Sequence, residues 1–198
     1  PPCCSGRRIR SRECLGNGAG CDTFDANLRG NTAMEIHVEK LTDVSLLQRA
    51  CAITMGRESS RASLEALYAC EHSPVRTQLF WVEMRSIPSF VSVHLVRHKV
   101  GVEHFVRSLR DDRGGTGGEG RNTPVNHAML LNAAALIQMA RKRLCAASHA
   151  RTREVMRAIC AAVAEADPAL ARFLVPECDY RGGVCHELKS CGRRPRAV

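Results

Sequence analysis

Aromatic residues are scarce in this chain: five Phe, two Tyr and one Trp in 198 residues. Proteins that grip single-stranded nucleic acid stack bases on aromatic rings, so this composition argues against that class. Long apolar runs are missing too. None approaches the roughly 20 residues of a membrane-spanning helix, and no segment has the layout of a secretory leader. Eleven Cys are present, an odd number with no Cys-x-x-Cys pair among them. Without a leader such a set does not make a disulfide framework, so the expected setting is a reducing cytoplasm with mostly free thiols. Acidic residues are outnumbered, 20 against 29 Lys and Arg, for a net charge of +9. That balance favours an anionic partner such as a nucleotide, a nucleic acid or an anionic surface. The length suits one soluble, globular domain with a real core.

Residues 1–33 hold no periodic apolar pattern and are dominated by Pro, Cys, Gly and Arg. They are expected to be a disordered extension, with Met34 a sensible native start. Cys3, Cys4, Cys14 and Cys21 fit no standard zinc ribbon. From Glu35 to Leu41 apolar and polar residues alternate as in a strand. Thr42 and Asp43 cap a helix over Val44–Cys51, and a second helix covers Ala62–Tyr68. A polar turn containing His72 leads to a strand over Thr77–Met84. Further on, Ala128–Leu131 is a short strand, and Asn132 caps a strong helix through Cys145. Another helix spans Arg153–Ala164 and ends near Asp167-Pro168, and a short helical segment runs to Val175-Pro176. Gly115–Gly120 spells the dinucleotide fingerprint, but no strand precedes it and no helix follows, so that reading is rejected. Residues 177–198 form a basic, Cys-rich tail. Its Cys178, Cys185, Cys191 and His186, with Cys145, are candidates for a tetrahedral metal site. Free thiols in a folded-back tail are the preferred reading.

The chemistry concentrates at Arg97-His98-Lys99, which ends the apolar run Ile87–Val96. Pro88 suits the first turn of a helix, which would carry the three cationic or protonatable side chains on its last turn. Such cations suit the helix dipole, but unpaired charge leaving a core also calls for water or an anion. If Val106–Arg110 is extended, Ser108 and Arg110 share a face. A hydroxyl with forked and point-charge donors then makes a phosphate site.

These residues resemble a motif of the flavin-dependent thymidylate synthases: Arg-His-Arg, seven residues, Ser, one residue, Arg. Here the pattern is Arg97-His98-Lys99, eight residues, Ser108, Leu109, Arg110. The succession around it is also similar to that family: a His-containing Ser-Pro turn, a strand, a Pro-started helix, and later Asn-Ala with an Arg eleven residues after the Asn. Asn132 and Arg143 occupy those last two places. The resemblance implies an α+β fold, one domain over 34–176 with an antiparallel sheet flanked by helices. It implies reductive methylation of dUMP to dTMP, with FAD as cofactor and methylenetetrahydrofolate and NADPH as co-substrates. Arg143 would contact the pyrimidine as the catalytic group. Arg97, His98, Lys99 and His72 would hold the flavin, while Ser108 and Arg110 would hold the nucleotide phosphate. It further implies a homotetramer with shared active sites, and neither membrane nor nucleic acid as partner.

The chain departs from the pattern in definite ways. Lys99 replaces a planar fork by a point charge, one extra residue precedes Ser108, and Asp111 stands where the family has an aromatic. The centre is shorter, as in a compact or virus-type relative, and leaves Asn126 or His127 near the place of a phosphate-binding Arg. A sister reaction, hydroxymethylation of a deoxypyrimidine nucleotide, fits the same residues. A small basic nucleic-acid-binding protein is the alternative from a different class.

Overall fold

Strand alternation and helix caps, the two local signals strongest in the sequence, set most of the framework. The computed structural model describes residues 33–58, 60, 63–115, 117 and 120–197. The reading of 1–33 as an extension falls, but for Ala33, outside them. Strands β1 (Glu35–Lys40), β2 (Leu79–Pro88), β3 (Val102–Val106) and β4 (Pro124–Asn132) form one sheet. Their order is β1–β2–β4–β3, with every neighbouring pair antiparallel. Helices α1 (Val44–Thr54), α2 (Leu64–Cys70), α3 (Ser89–Leu95), α4 (Ala133–Arg143) and α5 (Ala150–Ala166) accompany it. Two single-turn helices follow, α6 (Pro168–Ala171) and α7 (Glu177–Tyr180). The fold is α+β, an antiparallel sheet flanked by helices. Among the described residues no helix is long and apolar enough to cross a membrane.

Period-two alternation sends Phe80, Val82 and Met84 of β2 and Val125, Met129 and Leu131 of β4 to one face. There they join Leu136, Ile137 and Met139 of α4 and Met156, Ile159 and Val163 of α5 in a continuous core. On the opposite face Trp81 and Phe105 lie 5.5 Å apart, centroid to centroid. Phe105 remains 53% exposed there.

Several elements differ from the sequence reading: β3 has no counterpart in it, β4 begins at Pro124 rather than Ala128, and β2 and α3 have other bounds. Strand β2 does not stop at Met84 but continues to Pro88, through a bulge between Met84 and Ile87. Ser86 takes a left-handed φ of 55°, and its N–H donates to Asn126 Oδ1 at 3.2 Å. The bulge puts Met84 and Ile87, rather than Met84 and Ser86, on the buried face. That breaks the alternation on which the expected strand end was based. Helix α3 in turn begins only at Ser89 and ends at Leu95. Arg97, His98 and Lys99 therefore lie in the turn beyond the helix, not on its last turn.

Asp167 ties the last helices to the first strand. Its buried carboxylate accepts from Lys40 Nζ at 2.7 Å, Tyr68 Oη at 2.8 Å and the Leu170 N–H of α6 at 3.0 Å. Burial and this carboxylate together push the Tyr68 phenol well above its ordinary pKa. Removing one partner of a buried pair strands the other charge. Asp167→Ala is accordingly expected to cost about 3–5 kcal/mol in urea unfolding, and Tyr68→Phe about 1.5–3 kcal/mol. An Asp167→Ala protein with an unchanged midpoint would show that Lys40 and Tyr68 find other partners.

Candidate functional site

Helix α4 starts where Asn132 accepts from the Ala135 N–H at 3.0 Å, and its last turn carries Arg141, Lys142 and Arg143. Successive helical residues point about 100° apart, and the three cations go to three places. Arg141, 9% exposed, pairs with Glu71 and lies 3.4 Å from the Tyr180 ring centroid. Lys142 faces Glu177 and Glu187 at 3.9 and 3.5 Å. Arg143 turns to the α3–β3 turn, where Nε donates to His98 Nε2 at 2.9 Å and a terminal nitrogen donates to the His94 carbonyl at 2.6 Å.

The turn is held for this meeting by Gly101. Its φ is +72°, and a Cβ there would lie 2.4 Å from Asn132 Nδ2. Only glycine allows that approach, which lets the Asn132 N–H donate to the Gly101 carbonyl at 3.1 Å. Any larger residue would push the His98 turn away from α4.

A chain of imidazoles backs the turn. Arg143 Nε has only a proton to give, so His98 Nε2 accepts and the ring's own proton sits on Nδ1. His104 Nε2 faces the His98 carbonyl at 2.7 Å and must donate to it. In its neutral form His104 then accepts at Nδ1 from His127 Nε2, 3.0 Å away. This leaves His127 Nδ1, buried and without a hydrogen-bond partner, as a lone-pair acceptor. Burial, followed by the charge of Arg143 and then His104, pushes His98 down to about 4. Burial and then His104 take His127 down to about 4 as well.

Around these residues the charge is positive and uncompensated. Burial first, then Arg97, holds the Arg143 guanidinium below its ordinary pKa. His94 is lowered by burial, then by Arg143, Arg97, His149 and Arg121 in turn. Among the described residues no carboxylate forms an ion pair with Arg97, Lys99 or Arg143. A partly buried guanidinium lacking a counter-charge is costly unless an anion or polarised carbonyl meets it. Next to His94, a cavity of about 260 Å³ is lined by Phe90, Arg121, Asn122, His149 and Arg151. Phe90 stands 4.7 Å from the His149 ring and 5.6 Å from Arg121.

Of the candidates named from the sequence, His98 and Arg143 thus bond directly and the charge of Arg97 acts on Arg143, while Lys99 shares their turn as an exposed residue. Ser108 and Arg110 do not join them. Strand β3 ends at Val106, and 107–110 carry no regular structure. The expected extended face is replaced by a local bend, in which the Arg110 N–H donates to Ser108 Oγ at 3.3 Å. Arg110 spends its fork on Asp112, Nε donating to Oδ1 at 2.8 Å. An exposed pair of this kind contributes about 0–1 kcal/mol and yields readily to a phosphate. Gly115 packs under this bend, donating to the Arg110 carbonyl at 2.8 Å. His72 stands just before the short 3-10 helix Ser73–Thr77 with no side-chain bond to it, and no described hydrogen bond or ring contact brings it to Arg143. His127 faces the core, and Asn126 serves the bulge, so neither stands free for a phosphate. The sequence reading missed Phe90, His94, Arg121 and His149. Only Phe90 and His94, one helical turn apart on α3, left a signal.

Depressed histidine pKa values have a thermodynamic consequence. Between pH 6.5 and about 4 the unfolded chain binds protons that His98 and His127 refuse in the fold. Stability therefore falls as pH drops through that window and is complete above it. Urea midpoints are expected to be lower at about pH 5 than at about pH 7. NMR titration is expected to leave both rings neutral down to the onset of acid unfolding. A midpoint near 6.5 for either ring would remove the burial argument.

No protein-family model matches this sequence, and no curated protein matches it. Solved structures do. One is a UMP/dUMP methylase, PolB from Streptomyces cacaoi, bound with 5-Br dUMP, at 15% identity and a TM-score of 0.52 over 70% of this chain and 94% of that one. A second is thymidylate synthase X (ThyX) from Helicobacter pylori with FAD and dUMP, at 12% identity and a TM-score of 0.51 over 73% and 99%. A further structure of the flavin-dependent thymidylate synthase ThyX from Helicobacter pylori, also complexed with FAD and dUMP, gives a TM-score of 0.56 at 11% identity over 70% and 99%. At this identity the likeness is one of architecture: the chain has the α+β fold of the flavin-dependent thymidylate synthases.

Proposed function

We propose that this protein is a flavin-dependent enzyme acting on dUMP, methylating it reductively to dTMP. The observation that carries the reading is Arg143, half-buried, fixed by His98 and the His94 carbonyl, and paired with no described carboxylate. A guanidinium so placed is pre-set for a carbonyl edge or an oxyanion, and costs no reorganisation when charge develops there. The likeness in fold to dUMP-binding enzymes supports the pyrimidine as that group.

The residues suit FAD. Arg97 and Lys99 are exposed and enter no described ion pair, which leaves two cations for its phosphates. His98, neutral at physiological pH with its proton on Nδ1, offers a donor to a ring acceptor. Bound flavin supplies the hydride that the reductive step requires, with NADPH renewing it and methylenetetrahydrofolate giving the carbon. The chain's own work is binding and charge: Arg143 draws electron density toward the pyrimidine carbonyl and stabilises it there.

Ser108 and Arg110 remain the nucleotide-phosphate pair in this reading, and His72 a flavin contact. Neither is joined to Arg143 by a described hydrogen bond within one chain, which suits a site completed by other copies in a homotetramer. The exposed Phe105 beside Trp81 offers one apolar face for such association. Cytoplasm is the proposed location, from the thiol-rich composition.

The test separates the two arginines. Arg97→Ala is expected to release flavin, read as loss of its visible absorbance. Arg143→Ala is expected to keep flavin and lose dUMP-dependent turnover by about 2–4 kcal/mol of transition-state stabilisation. Arg141→Ala should instead lower the melting temperature, since it empties the contact with Glu71 and Tyr180, and leave dUMP turnover per folded enzyme intact. Full turnover by Arg143→Ala would overturn the catalytic assignment.

A further inference from the structure

From α7 onward the tail has almost nothing apolar to hold it. Leu188 is 94% exposed and Tyr180 48% exposed, yet Cys185 is buried to 6%. The backbone is folded around the cysteines. The Gly183 N–H donates to the Cys178 carbonyl at 2.8 Å, turning Cys185 back toward Cys178. Cys185 then pairs with Arg196 in a parallel bridge, its N–H donating to the Pro195 carbonyl at 2.8 Å and its carbonyl accepting from Ala197 at 2.8 Å. This closes the loop that carries Cys191. Asp179 accepts from Arg193 and Arg194 at 2.7 Å each, and fixes the loop on α7. Cys145, two residues past the end of α4, completes the set. Cys145, Cys178, Cys185 and Cys191, with His186, line a single cavity of about 10 Å³, room for one small ion or water.

We propose that these four thiols hold a structural zinc ion. Four of the chain's eleven Cys, from segments more than thirty positions apart, meet in one small cavity where no hydrophobic core explains their meeting. All four are free thiols. Among the described residues no group of three His, Cys, Asp or Glu side chains is set to hold a metal, so zinc binding requires the thiols to leave the positions they hold here. Each Sγ swings on a single χ1 bond, and tetrahedral closure places four sulfurs about 2.3 Å from zinc. Four soft thiolates in a closed shell suit zinc over hard cations. Each thiol releases its proton to solvent on binding. The ion would clamp the tail to the C-terminal end of α4, beside Lys142, where Glu177 and Glu187 already reach.

This site stands independently of the flavin reading, and its test needs no turnover. Full-length protein, purified without chelator or metal-affinity resin, is expected to contain about one equivalent of zinc per chain. A thiol-blocking mercurial should release it to a chromophoric indicator. After zinc removal, cobalt(II) should give the thiolate-to-metal charge-transfer absorption of a four-sulfur site. Cys178→Ser with Cys185→Ser should abolish both signals, while Cys70→Ser, an exposed thiol away from the cavity, should keep them. His186→Ala should keep them as well. Metal-free protein that also gives no cobalt charge-transfer band would overturn the proposal, as would a mass showing disulfides among these four in freshly isolated protein. Iron in place of zinc, or metal lost in His186→Ala, would overturn the zinc-and-four-thiolate assignment.

Discussion

The junction between β4 and α4 is the constraint on which the candidate site rests. Asn132 ends the strand, caps the helix through the Ala135 N–H, and donates its own N–H to the Gly101 carbonyl. Those bonds fix the start of α4 against the end of the α3–β3 turn. At the other end of the same helix, Arg143 bonds His98 of that turn and the His94 carbonyl of α3 just before it. Helical side chains lean toward the N-terminus, so an Arg on the last turn reaches back along the helix rather than into solvent. Turn and helix are tied at two points, and the position of one guanidinium follows. A side chain at residue 101 would open the first tie and so displace the second.

Electrostatics sharpens what packing has placed. Three adjacent cations share a helix end, where the dipole welcomes positive charge, but their surroundings differ. Arg141 and Lys142 meet carboxylates and anchor Glu71 and the tail. Arg143 meets only neutral acceptors, an imidazole nitrogen and a carbonyl. Burial first, and then this neighbour, keeps the His98 ring neutral: protonating Nε2 would set two donors face to face, beside a second cation. The cation-rich C-terminal end of α4 is thus divided, by a rotation of about 100° per residue, into a part paired with carboxylates and a part that meets neutral acceptors.

The sequence carried the local half of this picture and not the long-range half. Asp43 and Asn132 are caps whose side chains can do little else at those positions, and both helices begin where they predict. The alternation of β1 and of the first half of β2 was legible because one face is buried and the other is not. It failed past Met84 because a bulge skips one position, and nothing in Arg85-Ser86 announces a left-handed Ser. The Arg107–Arg110 stretch misled for a related reason. Its apolar Leu109 packs partly buried against the core while its backbone lies over Gly115 in a bend rather than along a sheet, so Ser108 and Arg110 are set by a loop. Arg143 was singled out by its distance from Asn132 in a resembled pattern, since composition made it equal to Arg141. The His104–His127 pair was invisible, because it depends on the β3–β4 register.

That division has a physical basis which also accounts for a shared fold at 11–15% identity. Cores tolerate wide exchange of apolar residues so long as volume and pattern hold, and caps and alternation are satisfied by several residue types. Such signals fix architecture without fixing sequence. A charged site has fewer solutions. Arg143 needs a helix of fixed length, an acceptor such as His98 at bonding distance, and a glycine that lets the turn approach. Each of these is a single-residue requirement, met here at Asn132, Gly101 and His98. These contacts aim the guanidinium, while the shell around them has only to keep its volume and pattern. Lys99, by contrast, is exposed and lies outside the tied junction.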